Sequence, residues 1–284
     1  MQRLVEWRIL RLKIGRNGAL QQPKRTTANS QTEKKTKKNN RVMLTLIFAI
    51  YTLVELTFWF IVSWIVLGVC YPFDKARKAV HWCSKMICMF FWKAPFTWKQ
   101  RVIGLENIDK NKTYVIAINH QSMVDIISLY FLPLNFRWVS KQEVFRMPYI
   151  GPMLICHGDI PIKRGNPRES MAKVINDGKM WISRGASIAI FPEGTRSKDG
   201  EIHRFKGGAF ALAKEAGVEI LPVVLDGTTK IFKPKSFFFN WRNVLTVKVL
   251  PPISAEHVAE TETSILAQEV QAVMTEALAE VRKQ

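Results

Sequence analysis

The sequence predicts an α/β domain carried behind N-terminal hydrophobic membrane helices. Three observations lead there. Residues 43–71 form a nearly uncharged apolar run. From about residue 100, short β-type runs alternate with helical stretches. Histidine, aspartate, arginine and glycine collect where strands give way to loops, which is where α/β proteins place their sites. The 284 residues are 48% apolar and 23% charged, which excludes wholesale disorder and suffices for a core without disulfides or a structural metal.

The elements follow in chain order. Residues 1–20 can form a basic amphipathic helix, with Leu4, Trp7, Leu10 and Ile14 among Arg8, Arg11, Lys13 and Arg16. Residues 21–42 have almost no apolar content and are expected to be disordered. Residues 1–42 supply +10 of the formal net charge of +19, so the extreme basicity belongs largely to a tail. Such charge suits a polyanionic partner, nucleic acid or an anionic membrane.

The run 43–71 carries one charge, Glu55. As a helix it would extend about 43 Å, beyond the roughly 30 Å of a bilayer core. It starts too late and is too long for a secretory signal. Seven Lys/Arg lie in 24–42 and seven in 73–101, so the positive-inside rule does not orient the segment. A spanning and a monotopic arrangement both stay open. Residues 74–98 mix Trp82, Phe90, Trp92 and Trp98 with Lys78, Lys85 and Lys93, the pattern of a helix at the headgroup level or of an amphipathic helix packed on the domain.

Strands are expected in 113–119, 186–191, 219–225 and 244–250. Helices are expected in 122–131, 168–183 and 207–216, and in a C-terminal stretch where Leu266, Val270, Val273, Met274, Ala277, Leu278 and Val281 share a face. Cys70, Cys83, Cys88 and Cys156 form no CxxC pair, which points to buried reduced thiols rather than a zinc site.

The run 113–119 leads directly into His120, and Asp125 follows five residues later. On one regular helix that spacing would separate the two by about 140°. They converge if His120 stays on the turn and Ser122 starts the helix, as a capping box with Asp125 would have it. A histidine held by a carboxylate suits proton abstraction from an alcohol. Taken alone, the hexapeptide reads more readily as a helix start beside a satisfied turn histidine. The run 186–191 leads into Pro192-Glu193-Gly194-Thr195-Arg196-Ser197, a tight turn whose amides, Thr195, Arg196 and Ser197 could bind phosphate, with Lys206 adding charge.

Together these blocks resemble the glycerolipid acyltransferase family, with NHxxxxD at Asn119–Asp125, an Arg-bearing block at Gly158–Arg164, FPEGTRS at Phe191–Ser197 and a Pro-containing apolar strand around Pro222. The resemblance covers roughly residues 100–255 and is strongest to 1-acylglycerol-3-phosphate O-acyltransferases. It implies a mixed central sheet flanked by helices, as in glycerol-3-phosphate acyltransferases. It implies that His120 is the general base and Asp125 its orienting partner. Arg164 and the turn Glu193, Gly194, Thr195 and Arg196 would bind glycerol phosphate, and Lys141 would lie near phosphate or a developing oxyanion.

The implied reaction moves an acyl chain from acyl-CoA or acyl carrier protein to the sn-2 hydroxyl of lysophosphatidic acid, without metal or other cofactor. Glycerol 3-phosphate or another lysophospholipid is the alternative acceptor. The expected organisation is a tail (1–42), a membrane segment plus interfacial helix (43–98) and an acyltransferase domain (99–284). The expected location is a membrane, bacterial inner membrane by preference, with the catalytic domain on the cytoplasmic face. A membrane-anchored basic binding protein would leave both motifs unexplained, and nucleic acid is not expected as a partner.

Overall fold

A computed structural model of the chain describes residues 27–94, 98–163, 165–231 and 243–283. Residues 1–20, read as an amphipathic helix, lie outside the described residues. The chain divides into two compact units, Met1–Ile47 and Phe48–Gln284. Helix α1 runs from Thr27 to Cys70. The expectation of an irregular chain up to residue 42 is therefore replaced by helix from Thr27 onward. The physical reason is that extending a formed helix costs far less than nucleating one, and Lys, Gln and Glu are good helix formers. Within α1, Val42–Cys70 has a mean hydropathy of 2.1 and is, among the described residues, the one stretch long and apolar enough to cross a membrane.

Helix α2 (Lys78–Lys93) follows, with Val80, His81, Cys83, Cys88 and Trp92 buried. The remaining order is β1 (Trp98–Ile103), β2 (Val115–Ile118), α3 (Val124–Ser128), β3 (Phe136–Lys141), α4 (Ile150–His157), β4 (Ile160–Ile162), α5 (Pro167–Ser183), β5 (Ser187–Ile190), α6 (Gly208–Ala216), β6 (Ile220–Asp226), β7 (Asn243–Val249), α7 (Ala255–Glu260) and α8 (Thr263–Lys283).

The seven strands form one mixed sheet in the order β1-β7-β6-β2-β5-β3-β4. Every neighbouring pair is parallel except β6 and β7. Central strands buried on both faces must be apolar throughout, and β2 and β5 are buried at every position. Alternation then sorts the side chains. Val115 and Ala117 face a core made with Phe210, Leu266, Val270 and Met274 from α6 and α8. Ile116 and Ile118 face a second core with Cys88 and Trp92 of α2, Val124 of α3 and Trp138 of β3. The sheet is thus sandwiched between two helical layers. The ends of β6, β2, β5, β3 and β4 all emerge at one carboxyl edge.

The four cysteines are free, with Cys83, Cys88 and Cys156 buried. Strands β1, β3 and β4 and helices α4 and α7 are not visible in the sequence pattern. Strand β3 is FRWVSK, and Arg137 within it interrupts the apolar pattern of a buried strand. The side chain is fully buried, with its guanidinium donating to the carbonyls of Phe136, Ala76 and Arg77.

Candidate active site

The two motifs meet because β2 and β5 are adjacent and parallel. Asn119, at the exit of β2, pairs across to β6: its side-chain amide donates to Leu225 O (2.9 Å) and its Oδ1 accepts from Leu225 N (2.7 Å). That clamp fixes where the chain leaves the sheet. His120 sits on the turn, and Asp125 lies in the first turn of α3. Asp125 Oδ2 accepts from Gln121 N (2.6 Å), Ser122 N (2.6 Å) and His120 Nδ1 (2.9 Å). The reciprocal half of the expected capping box is altered, since Ser122 Oγ accepts from Val124 N rather than from Asp125 N.

The imidazole is thereby assigned a tautomer. An ionised carboxylate only accepts, so His120 Nδ1 carries the proton and Nε2 keeps its lone pair. No described residue bonds to Nε2. The His120 side chain is 14% exposed and that of Asp125 is fully buried. Asp125 Oδ1 is buried with no partner, and no described cation neutralises the carboxylate. An imidazolium at His120 would be its counter-charge. The ring plane is set by a stack: His120 lies 3.9 Å from Phe191 at 17°, and Phe191 lies 5.1 Å from Trp138 at 17°.

Glu193, expected among the phosphate contacts, lies inside this assembly with its carboxylate turned to the backbone of His120. It is buried, and its carboxylate accepts from His120 N (2.9 Å) and His203 N (3.3 Å). Burial raises its pKa, and the hydrogen bonds from the His120 and His203 amides offset that only in part. Ser197 N donates to His120 O (2.7 Å), so hydrogen bonds at two points join the motifs.

Gly194, Thr195 and Arg196 lie exposed on the outer side of the turn. Gly194 has φ +71, and a Cβ there would come within 2.7 Å of Lys206 Nζ. The Lys206 ammonium therefore lies over the turn, tied in place by Lys206 N donating to Pro192 O (2.9 Å). Lys141 is exposed at the end of β3, on the same sheet edge. Arg164 lies outside the described residues; its neighbours Lys163 and Gly165 line the groove described next.

A groove of ≈ 330 Å³ opens beside the turn, with Gly194 and Lys206 at its polar end and Val139, Ile162, Met171 and Val174 along its length. Its combination of cation and apolar wall accommodates an amphiphile. Among the described residues no cluster of His, Cys, Asp and Glu could hold a metal ion. The sequence does not reveal Trp138 or the bracing role of Glu193, because their partners lie tens of residues away and no local pattern marks them.

Comparisons with known proteins bear on the fold and the family. The family profile described as Acyltransferase matches residues 99–226. The chain is 37% identical over 166 residues to a chloroplastic 1-acyl-sn-glycerol-3-phosphate acyltransferase of Brassica napus, an alignment covering 56% of this chain and 46% of that protein. It is 30% identical over 214 residues to the 1-acyl-sn-glycerol-3-phosphate acyltransferase of Pseudomonas aeruginosa, covering 74% of this chain and 80% of that protein. It thus spans about half the length of the plant relatives and most of the bacterial one. In fold it matches the crystal structure of the 1-acyl-sn-glycerophosphate acyltransferase PlsC of Thermotoga maritima, with a TM-score of 0.71 at 23% identity, covering 87% of this chain and 98% of that one. The chain belongs to the acyltransferase family of which these 1-acyl-sn-glycerol-3-phosphate acyltransferases are members.

Proposed function

We propose that the protein transfers an acyl chain from a thioester, acyl-CoA or acyl carrier protein, to the sn-2 hydroxyl of lysophosphatidic acid, giving phosphatidic acid. The observation that carries the reading is the His120 ring, bonded to Asp125 through Nδ1 and uncommitted at Nε2, beside a cationic turn and an apolar groove. His120 Nε2 takes the hydroxyl proton, and the oxygen attacks the thioester carbonyl. The C–S bond then breaks, and the departing thiolate takes the proton back from the imidazolium, so no further reactant is required. Asp125 stabilises the imidazolium and fixes the ring. Thr195, Arg196, Lys206 and Arg164 hold the acceptor phosphate, and Lys141 adds positive potential at the same edge. No cofactor is assigned.

The membrane arrangement we propose is monotopic, with the catalytic domain on the cytoplasmic face, in a bacterium the inner membrane. Phe48 packs against Phe91 at 5.3 Å, Trp59 against Trp82 at 5.8 Å, and the Ser63 carbonyl accepts from Cys156 Sγ. The domain therefore lines α1 from Phe48 to Ser63, and a perpendicular crossing would drag the domain into hydrocarbon. The opposite face exposes Ile50, Val54, Phe58, Ile61, Ile65 and Val69, a stripe suited to lying in one leaflet. With seven Lys/Arg on each flank of the segment, the positive-inside rule gives no preference for a span that would separate them.

The test is product analysis by mass spectrometry with purified full-length protein, an acyl thioester and a panel of acceptors. Phosphatidic acid formed from lysophosphatidic acid in preference to products from glycerol 3-phosphate or lysophosphatidylcholine is expected. Preference for another acceptor would overturn the substrate assignment while leaving the chemistry intact.

A further inference from the structure

At the amino edge of the sheet, opposite His120, lies a second cationic cavity. Its volume is ≈ 280 Å³ and its lining is Tyr71, Pro72, Asp74, Lys75, Arg77 and Arg184. Lys75, Arg77 and Arg184 have no ion-pair partner among the described residues. The lining holds a single acid, Asp74, whose Oδ2 accepts from Ala79 N at 2.8 Å, so three cations against one carboxylate leave an excess of two positive charges.

Two of the three cations share one aromatic platform. Arg77 and Arg184 stack on the Trp181 ring with guanidinium carbons 5.3 and 5.4 Å from its centroid, beside the buried Arg137 at 4.8 Å. Arg77 Nη1 also donates to Ile155 O and Cys156 O, both at 2.9 Å. To reach this position Arg77 adopts left-handed backbone angles, φ 47 and ψ 41. A non-glycine residue is strained there, and such strain persists where a position is over-determined by its surroundings. Like charges gathered on one aromatic platform call for an anion, and the Arg184 fork, the Arg77 N–H groups not committed to the Ile155 and Cys156 carbonyls and the Lys75 ammonium match phosphate oxygens.

The surroundings identify the source of the phosphate. The cavity adjoins the end of the apolar segment at Cys70, and Tyr71 and Phe73 beside it are exposed, Phe73 at 91%. Aromatic rings at the end of a membrane segment sit at headgroup depth. We infer that this cavity binds the phosphate of an anionic membrane phospholipid, at a site separate from the one that takes the acyl acceptor. The inference rests on membrane association of α1 and not on the acyl-transfer chemistry.

The test is a binding titration of full-length protein with vesicles of phosphatidylcholine alone and of phosphatidylcholine mixed with phosphatidylglycerol. Three proteins are compared: wild type, K75A/R184A, and K78A/K93A, which removes the same charge from positions of α2 outside the cavity. Wild type is expected to prefer the mixed vesicles. K75A/R184A is expected to lose at least about tenfold more of that preference than K78A/K93A, with unchanged binding to phosphatidylcholine. Equal losses in the two variants would show diffuse attraction and overturn the site.

A parallel melting series with inorganic phosphate separates the two phosphate sources. Phosphate protection of wild type that K75A/R184A abolishes, without any site-dependent preference for mixed vesicles, would assign a soluble anion and overturn the lipid assignment. Should K75A/R184A melt early, R184Q is compared with K78A, which removes the same single charge outside the cavity. No thioester enters either measurement, so failure here is distinguishable from failure of the acyltransferase reading.

Discussion

Asp125 commits one carboxylate oxygen to three N–H donors and leaves the other buried and unpartnered. Asparagine there could accept through its oxygen but would carry no charge to stabilise an imidazolium, and its amide turned toward His120 would favour the wrong tautomer. D125N is therefore expected to lower kcat by about 10³–10⁴-fold with little change in KM, read by thiol release. Unchanged turnover would remove Asp125 from the mechanism. Gly194 carries two separate requirements, a positive φ and room for Lys206. G194A is expected to cost about 1–2 kcal/mol of backbone strain and to displace the ammonium, which would appear as a raised KM for the phosphorylated acceptor. The His120–Asp125 pair is legible in sequence because its geometry is local, five residues closing on one turn. Glu193 is not: the amide that it braces belongs to His120, 73 positions earlier, and the turn that contains it looks from sequence like a binding loop throughout.

At the scale of elements, β3 supports the site from behind. Trp138 backs Phe191, which backs His120, so W138A is expected to destabilise the fold by about 3–5 kcal/mol through the cavity it leaves. It should also lower activity at temperatures where the protein remains folded, as paired melts and rate measurements would show. The junction between α2 and the sheet is a buried polar chain: His81 Nδ1 lies 3.0 Å from His157 Nε2, and His157 Nδ1 lies 2.7 Å from Asp159 Oδ1. Burial is the largest cause holding both histidines below the ordinary imidazole range, with further repulsion from Arg137. The sign of the pH effect follows. As pH falls through about 6.5, the unfolded chain takes up protons that the folded protein refuses, so stability declines toward acid by up to about 1.4 kcal/mol per pH unit for each histidine. Melting temperatures are expected to drop between neutral and mildly acidic pH, and H81F is expected to flatten that slope; an unchanged slope would mean other groups dominate. The strands buried on both faces announce themselves as apolar runs. Strand β3 does not, because Arg137 sits within it, satisfied by carbonyls that only the fold brings near.

For the whole molecule, the sheet's two edges have different work. The carboxyl edge holds the imidazole, the turn and the groove, and the amino edge holds the Trp181 arginine cluster. The long apolar run predicts a membrane segment, but sequence alone leaves its topology open. The packing of α1 along the domain supports a monotopic reading, since tertiary contacts and not hydropathy decide which face of a helix is free. V54K and I65K are each expected to weaken vesicle partitioning by at least about tenfold, with activity in detergent retained. Undiminished partitioning would contradict the monotopic face. The central claim is that the uncommitted nitrogen of His120 takes the proton from the acceptor hydroxyl. The most direct measurement is the rate of thiol release with lysophosphatidic acid and acyl-CoA for His120→Ala against wild type, both shown folded by their melting curves. A fall of about 10³-fold or more is predicted; turnover within about tenfold of wild type would contradict the mechanism.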